Sequence, residues 1–459
     1  MNESGGAESK MEDSEKRPLD NSANGQKSGI KFILRALDSR NYRLYFGGQG
    51  ISLIGTWIQR IAQSWLVYRL TDSVFLLGLV GFSTQIPTFL MAPFAGVIVD
   101  QRNRYHILIV TQVLATIQAL ILALLVLTDN IEVWHIIALG VVLGCINAFD
   151  MPSRQSLLVD MIERREDLSN AIALNSTMVN GARLIGPTVA GIVIAAVGEG
   201  TCFMLNAGSF LAVIIALLAM KLNLKTVKKR KGRMLQDLKE GVKYSFGFAP
   251  IRSVLLLIAL ISIMGMPYTV LMPVFAKDIL HGGAHTLGFL MGAVGTGALV
   301  GAIYLASRKT VLGLGRVISL AAVVFGIGLI AFSFSRSMWL SITMLFFVGM
   351  GMMMQMAASN TVLQTIVDDD KRGRVMSFYA MSFFGMAPLG SLLAGSLGSR
   401  LGTPETVMLG GACCVVGGLL FMYRLPSLRK LVRPIYTQKG ILPEVAAGLQ
   451  SANSLNERP

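Results

Sequence analysis

Residues 74–127 read VFLLGLVGFSTQIPTFLMAPFAGVIVDQRNRYHILIVTQVLATIQALILALLVL. Two apolar runs, 74–98 and 105–127, are parted only by the charged turn that contains Asp100, Arg102 and Arg104. About 20 apolar residues cross the hydrocarbon core of a bilayer. Lipid offers the backbone no hydrogen-bond partners, so each run must satisfy its own amides as a helix. A turn this short makes the two helices antiparallel neighbours.

The same pattern recurs on both sides. Apolar runs bounded by charge fall at 44–68, 74–98, 105–127, 134–158, 169–197, 201–221, 253–276, 286–306, 314–334, 338–366, 375–399 and 403–423, which predicts an all-α integral membrane protein with twelve transmembrane helices. Composition agrees: 53% of the 459 residues are hydrophobic and 15% charged, against about 25% charged in soluble domains. The formal net charge of +15 therefore does not mark a soluble nucleic-acid-binding protein. Of the 41 Lys and Arg residues, 34 flank one side of the predicted bundle; Arg69, Lys277, Arg336 and Arg400 flank the other, and Arg60, Arg154 and Arg183 fall within spans. Basic residues in short loops stay in the cytoplasm, so both termini are expected there, and the excess charge is a topology signal.

The longest break, residues 222–251, carries Lys225, Lys228, Lys229, Arg230, Lys231 and Arg233 and divides the spans six and six. The expected organisation is a disordered tail at 1–29, a six-helix half at 30–221, a cytoplasmic loop at 222–251, a second half at 252–423 and a cytoplasmic tail at 424–459. Residues 1–29 lack the apolar core of a secretory signal peptide. Segment 30–37 reads either as a short basic helix on the membrane surface or as a plain lead-in to the first span. The four cysteines, Cys145, Cys202, Cys413 and Cys414, lie in apolar runs without metal or redox spacing.

A weak repeat relates the halves. Gly96 matches Gly301, each ahead of a basic turn; Arg154-Gln-Ser-Leu-Leu-Val-Asp160 matches Val362-Leu-Gln-Thr-Ile-Val-Asp368; and Pro187 matches Pro388 in similar small-residue settings. Three matches in one order, with equal span counts, predict two parallel six-helix halves and a substrate site between them near mid-membrane.

The turn Gly96-Val-Ile-Val-Asp100-Gln-Arg102-Asn103-Arg104 resembles the signature loop of the major facilitator superfamily, Gly-x-x-x-Asp-Arg/Lys-x-Gly-Arg/Lys. The resemblance extends over nearly the whole chain. Trp57 through Thr71, Phe149 through Gln155 and Asn175 through Gly191 look like the branch that contains the enterobactin exporter and macrolide efflux proteins. It implies the major facilitator fold and a secondary exporter of small organic molecules, siderophores or amphiphilic drugs, working by alternating access and proton antiport in a bacterial inner membrane. It implies no cofactor beyond the coupling proton, no enzymatic activity, and a monomer in contact with lipid. The alternatives are a lipid or lysolipid transporter and a non-transporting receptor or scaffold.

In families this resembles, Asp100 latches the halves, with Gly96, Arg102 and Arg104 completing the loop. Gln101 and Asn103 depart from the pattern; Asn tolerates a left-handed turn, so the turn is expected to be kept. Gly186, Pro187 and Gly191, with Pro388, read either as the exporters' fifth-span motif or as ordinary small-residue packing. Polar residues at helical spacing predict cavity-lining faces: Gln49, Ser52, Thr56, Gln59, Arg60 and Gln63 on span 1, Asn147 on span 4, Ser176 and Asn180 on span 5, and Gln355, Ser359 and Asn360 on span 10. Each can equally be a contact between helices.

Asp150, with Arg154 and Arg183, is either the proton carrier or half of an ion pair. Met350, Met352, Met353, Met354 and Met356 surround span 10 and read first as soft packing. His281 and His285 beside Asp278 read as an exposed loop before a metal site. The absence of a phosphate-binding Gly-rich loop argues against an ATP-driven pump. Asp100→Asn is expected to impair transport while leaving membrane insertion intact; unchanged efflux by the inserted variant would show that the carboxylate is dispensable.

Overall fold

The computed structural model describes residues 34–222, 234–308 and 310–441; the side chains of Pro93, Asp100 and residues 234–240 lie outside it. The expected tail at 1–29 and residues 30–33 of segment 30–37 therefore fall outside the described residues. The described part, Arg35–Asp38, is a 3-10 turn. It is docked on the start of the fifth span by Arg35–Asp167 at 3.0 Å and by the Ala36 amide donating to Asn170.

All regular structure among the described residues is helical. The first helix, α1, is Arg40–Thr71, followed by α2 (Val74–Gln101), α3 (Arg104–Leu127) and α4 (Val133–Leu158). The stretch Leu168–Ala219 runs on without a loop where two spans were expected. Gly198 breaks it with φ 82°, a backbone conformation that costs glycine little. The arms 168–197 and 199–219 are α5 and α6.

After a connecting helix, Met234–Gly247, come α7 (Ala249–Ile279), α8 (Ala284–Ala306), α9 (Leu314–Phe334), α10 (Met338–Ile366), α11 (Arg372–Leu401) and α12 (Thr403–Gln438). Among the described residues, 10 helical stretches are long and apolar enough to cross a membrane. One of these is α5 with α6, and the more polar α1, 32 residues long, is not included. The set is consistent with twelve crossings in the major facilitator arrangement.

Two stretches expected as loop or tail are helical. The connecting helix occupies much of 222–251. The last helix continues past 423 because Leu425, Leu428 and Val432, at helical spacing, stay buried against the bundle.

Within the first half α1 packs on α5 and α6, α2 on α4 and α3 on α6; within the second, α8 packs on α10 and α9 on α12. Two seams join the halves, α5 with α8 and α2 with α11. Each closes on glycine. A Cβ on Gly191 would lie 2.9 Å from the Gly288 Cα, and one on Gly78 would lie 2.7 Å from the Gly395 Cα. Backbones this close gain dispersion contacts that larger residues would forbid. α7 widens into π-helical turns at Ile261–Gly265 and Phe275–Ile279 and α11 into one at Met381–Gly385, and the Ser262 hydroxyl donates to the Phe383 carbonyl at 2.5 Å between the first and the last of these. Such turns are rare and recur at functional sites.

Gly191→Leu should separate α5 from α8 and lower stability by about 1–3 kcal/mol. The check is the thermal unfolding midpoint of the detergent-solubilised protein, which should fall. An unchanged midpoint would mean the seam can absorb a side chain.

Candidate transport pathway

An even number of crossings brings the Arg40 end of α1 and the Gln438 end of α12 to one face of the bundle, the terminal side. At the opposite end the halves are tied together. The Tyr68 hydroxyl donates to Asp278, and Lys277 pairs with Asp72 and stands 5.3 Å from the Tyr68 ring centroid. Beside them, within the first half, Arg69 binds Glu199 at 2.7 Å. Deeper, the Gln85 amide approaches the Ser391 hydroxyl at 3.4 Å across the α2–α11 seam.

On the terminal side a cavity of about 360 Å³ lies between α5, α8 and α10, with Ser176, Asn180, Ala302, Arg308, Met353 and Thr361 on its wall. Ser176 and Asn180, two of the expected lining residues, are therefore placed on it. The small-residue motif sits further along α5: Pro187 and Gly191 form its side of the seam with α8, while Gly186 abuts Trp57 of α1. Pro388 is buried in α11, the helix of the other seam.

The polar stripe of α1 is largely buried. Gln49, Ser52, Gln59 and Gln63 are buried, and Thr56 donates to the Ser52 carbonyl of its own helix. Gln59 donates to Gln118 of α3 at 3.2 Å and accepts from Asn206 of α6 at 2.6 Å. Much of the stripe thus turns into the first half, where buried amides find partners on neighbouring helices. Arg60 is the exception. Its side chain is exposed, and its guanidinium lies 4.7 Å from the Trp57 ring centroid. Elsewhere, Asn147 is exposed, Gln355 and Ser359 are buried with 3.2 Å between their side chains, and Asn360 accepts from Gln364.

Asp150 is an ion-pair partner in this geometry. It binds Arg154 one turn along α4 and accepts from Thr111 at 3.1 Å and Gln112 at 2.6 Å on α3. Arg183 is not part of that network. The signature loop is also anchored to α4: Arg104 donates to the Ser156 carbonyl at 3.1 Å and stands 3.5 Å from Asp160. The Asp100 side chain lies outside the described residues, Arg102 is exposed, and Gly96 has open space beside it.

The expected left-handed turn at Asn103 is corrected. Its φ is −70°, and its side chain caps α3 by accepting from the Tyr105 and His106 amides. Asparagine is among the best residues for that role, so the departure from glycine replaces backbone freedom with a cap.

Met350 and Met354 pack along α8 while Met353 faces the cavity. His281 and His285 are exposed, and among the described residues no group of three or more His, Cys, Asp or Glu is placed to hold a metal. Outside the spans, Asp368 accepts from Lys371 and Tyr244 at 3.2 Å each, and its hydrogen bond raises the Lys371 pKa.

Breaking the Asp150–Arg154 pair should cost more than replacing it. Asp150→Leu and Arg154→Met are each expected to destabilise by about 3 kcal/mol by leaving a charge without its partner, and the double variant by less than the two together. Thermal unfolding of the four proteins checks the sign of that coupling.

Sequence comparison agrees with this architecture. The transmembrane secretion effector family matches residues 35–439. The chain is 25% identical over 384 residues to the staphyloferrin A transporter of Staphylococcus aureus, covering 83% of this chain and 95% of that one. It is 24% identical over 393 residues to the multidrug efflux pump Tap of Mycolicibacterium fortuitum, covering 82% and 93%. In fold it is similar to the nucleoside transporter NupG, with a TM-score of 0.66 at 13% identity, covering 84% and 99%. The chain is thus a multi-pass membrane transporter of small molecules, and it belongs to the transmembrane secretion effector family of the major facilitator superfamily.

Proposed function

We propose that this protein exports small organic molecules, a siderophore or an amphiphilic drug, from the bacterial cytoplasm by alternating access coupled to proton antiport. The observation that carries this proposal is the asymmetry of the bundle. Its outer end is held by Tyr68–Asp278 and Lys277–Asp72, while the cavity between α5, α8 and α10 lies toward the terminal side. In the sequence, 34 of the 41 basic residues flank that same side, which supports a cytoplasmic orientation. A substrate entering there leaves only after the outer ties release and the halves rock about the two glycine seams.

The relatives support the substrate class, since one is named for transport of staphyloferrin A and the other for multidrug efflux. Direction and coupling are tested in inside-out membrane vesicles. Ethidium and an iron-free carboxylate siderophore should accumulate when an interior-acid proton gradient is imposed, and a protonophore should abolish the uptake. Failure of both compounds to move under any gradient would overturn the export proposal.

The outer ties make a second expectation. An exposed pair contributes at most about 1 kcal/mol, so Lys277→Ala should raise the ratio of outward-open to inward-open molecules by about fivefold or less. Spin labels at Asp129→Cys and His281→Cys, in a background lacking the four native cysteines, would read this as a larger share of long distances.

A further inference from the structure

A second cavity, of about 470 Å³, opens on the terminal side, where the connecting helix meets the starts of α7 and α11. Its wall is Lys243, Tyr244, Gly247, Phe248, Lys371 and Arg374, and among the described residues no acid lines it. The three cations come from three parts of the chain: the connecting helix, the α10–α11 loop and the first turn of α11. Retention of basic residues in the cytoplasm accounts for their presence on this side. It does not account for their convergence on one cavity with two aromatic residues in its wall.

Printed contacts hold that wall in place. Gly241 lets the connecting helix close on α11: a Cβ there would lie 3.0 Å from the Phe378 ring and 3.4 Å from the Arg374 Cβ. Phe246 meets Phe378 edge to face, with 6.3 Å between the ring centroids. Asp368 accepts from the Tyr244 hydroxyl and from Lys371 at 3.2 Å each, and the Lys371 ammonium stands 4.6 Å from the Tyr244 ring centroid. Of the neighbouring acids, Asp368 is thus engaged with Lys371 and Tyr244, and Asp369 pairs with Arg372. Val242 and Phe246 remain exposed on the connecting helix, so an apolar margin borders the cationic wall.

We propose that this cavity binds the phosphate of an anionic phospholipid headgroup, independently of what the pathway between α5, α8 and α10 carries. Lys243, Lys371 and Arg374 supply charge-assisted donors to the phosphate oxygens, and Tyr244 and Phe248 pack against the glycerol. The starts of α7 and α11 set the cavity where the spans leave the hydrocarbon, at the depth of the headgroups, and the exposed Val242 and Phe246 continue it towards the acyl chains. Basic pockets between spanning helices are known seats for such headgroups. A soluble phosphate ester shares the phosphate chemistry but has no use for the apolar margin. The bound lipid braces the connecting helix, which links the two halves, against α11.

The test counts ligands on the full chain by native mass spectrometry from a neutral detergent, after titration with dioleoyl phosphatidylglycerol, dioleoylglycerol or glycerol 3-phosphate. Phosphatidylglycerol is expected to bind saturably. Lys243→Gln and Arg374→Gln should each weaken that binding by about fivefold, with Lys243→Arg close to the parent. Arg429→Gln, which removes an exposed charge of α12 outside the cavity wall, should leave it unchanged. Thermal midpoints matching the parent show that the variants are folded; if Arg374→Gln unfolds, Lys243→Gln, at an exposed side chain, decides alone. Equal retention of dioleoylglycerol, or an equal loss in Arg429→Gln, would reduce the binding to apolar adsorption or general surface charge and overturn the site. Glycerol 3-phosphate binding with the same variant pattern, and no phosphatidylglycerol binding, would keep the phosphate site and overturn its assignment to lipid. Absence of saturable binding by both phosphate compounds would overturn the site altogether.

Discussion

Two glycine-to-glycine crossings set the terms for the rest of this molecule. At Gly191 with Gly288 and at Gly78 with Gly395 the backbones of opposite halves touch. Lipid supplies no hydrophobic drive for helices to associate, so the halves are held by contact at short range. The seams fix where the helices can meet and leave their remaining lengths free to part. That is why one bundle can be tied at its outer end and hold a cavity toward the other.

Polar groups inside the bundle follow a second constraint: each must find a partner or reach water. Asp150 gathers Arg154, Gln112 and Thr111, and Gln59 is held between Gln118 and Asn206. These groups stabilise the first half as a unit.

The helices were legible in the sequence because crossing a bilayer demands long apolar runs, and the ends of α3, α9 and α10 lie within a residue of those runs. The joins were less so. Hydropathy sees an interruption at Gly198 and at residue 424 but cannot tell a bend or an emerging helix from a loop. Ser176 and Asn180, picked out by their spacing, lie on the wall of the cavity between α5, α8 and α10. The role of the α1 stripe was not, since helical spacing shows that Gln49, Ser52, Gln59 and Gln63 share a face without showing which neighbour covers it. Asn103 illustrates a third limit: one residue type suits both a left-handed turn and a helix cap, and only the backbone angle separates them. Residue spacing places Trp57 and Arg60 on one turn, but the close approach of Gly186 on α5 to Trp57 depends on tertiary packing.

The polarity of α1 bears on how the chain is assembled. Of the spanning helices described it leaves the ribosome first, and its mid-span arginine makes it a poor substrate for insertion on its own. The continuous pair it packs against, α5 with α6, begins only at Leu168. At about 5–20 residues per second, the interval between completing α1 and starting α5 is on the order of 5–20 s. During biosynthesis α1 therefore depends on interim shelter, from the translocon or from α2 to α4, before the fold that rewards its polar residues exists.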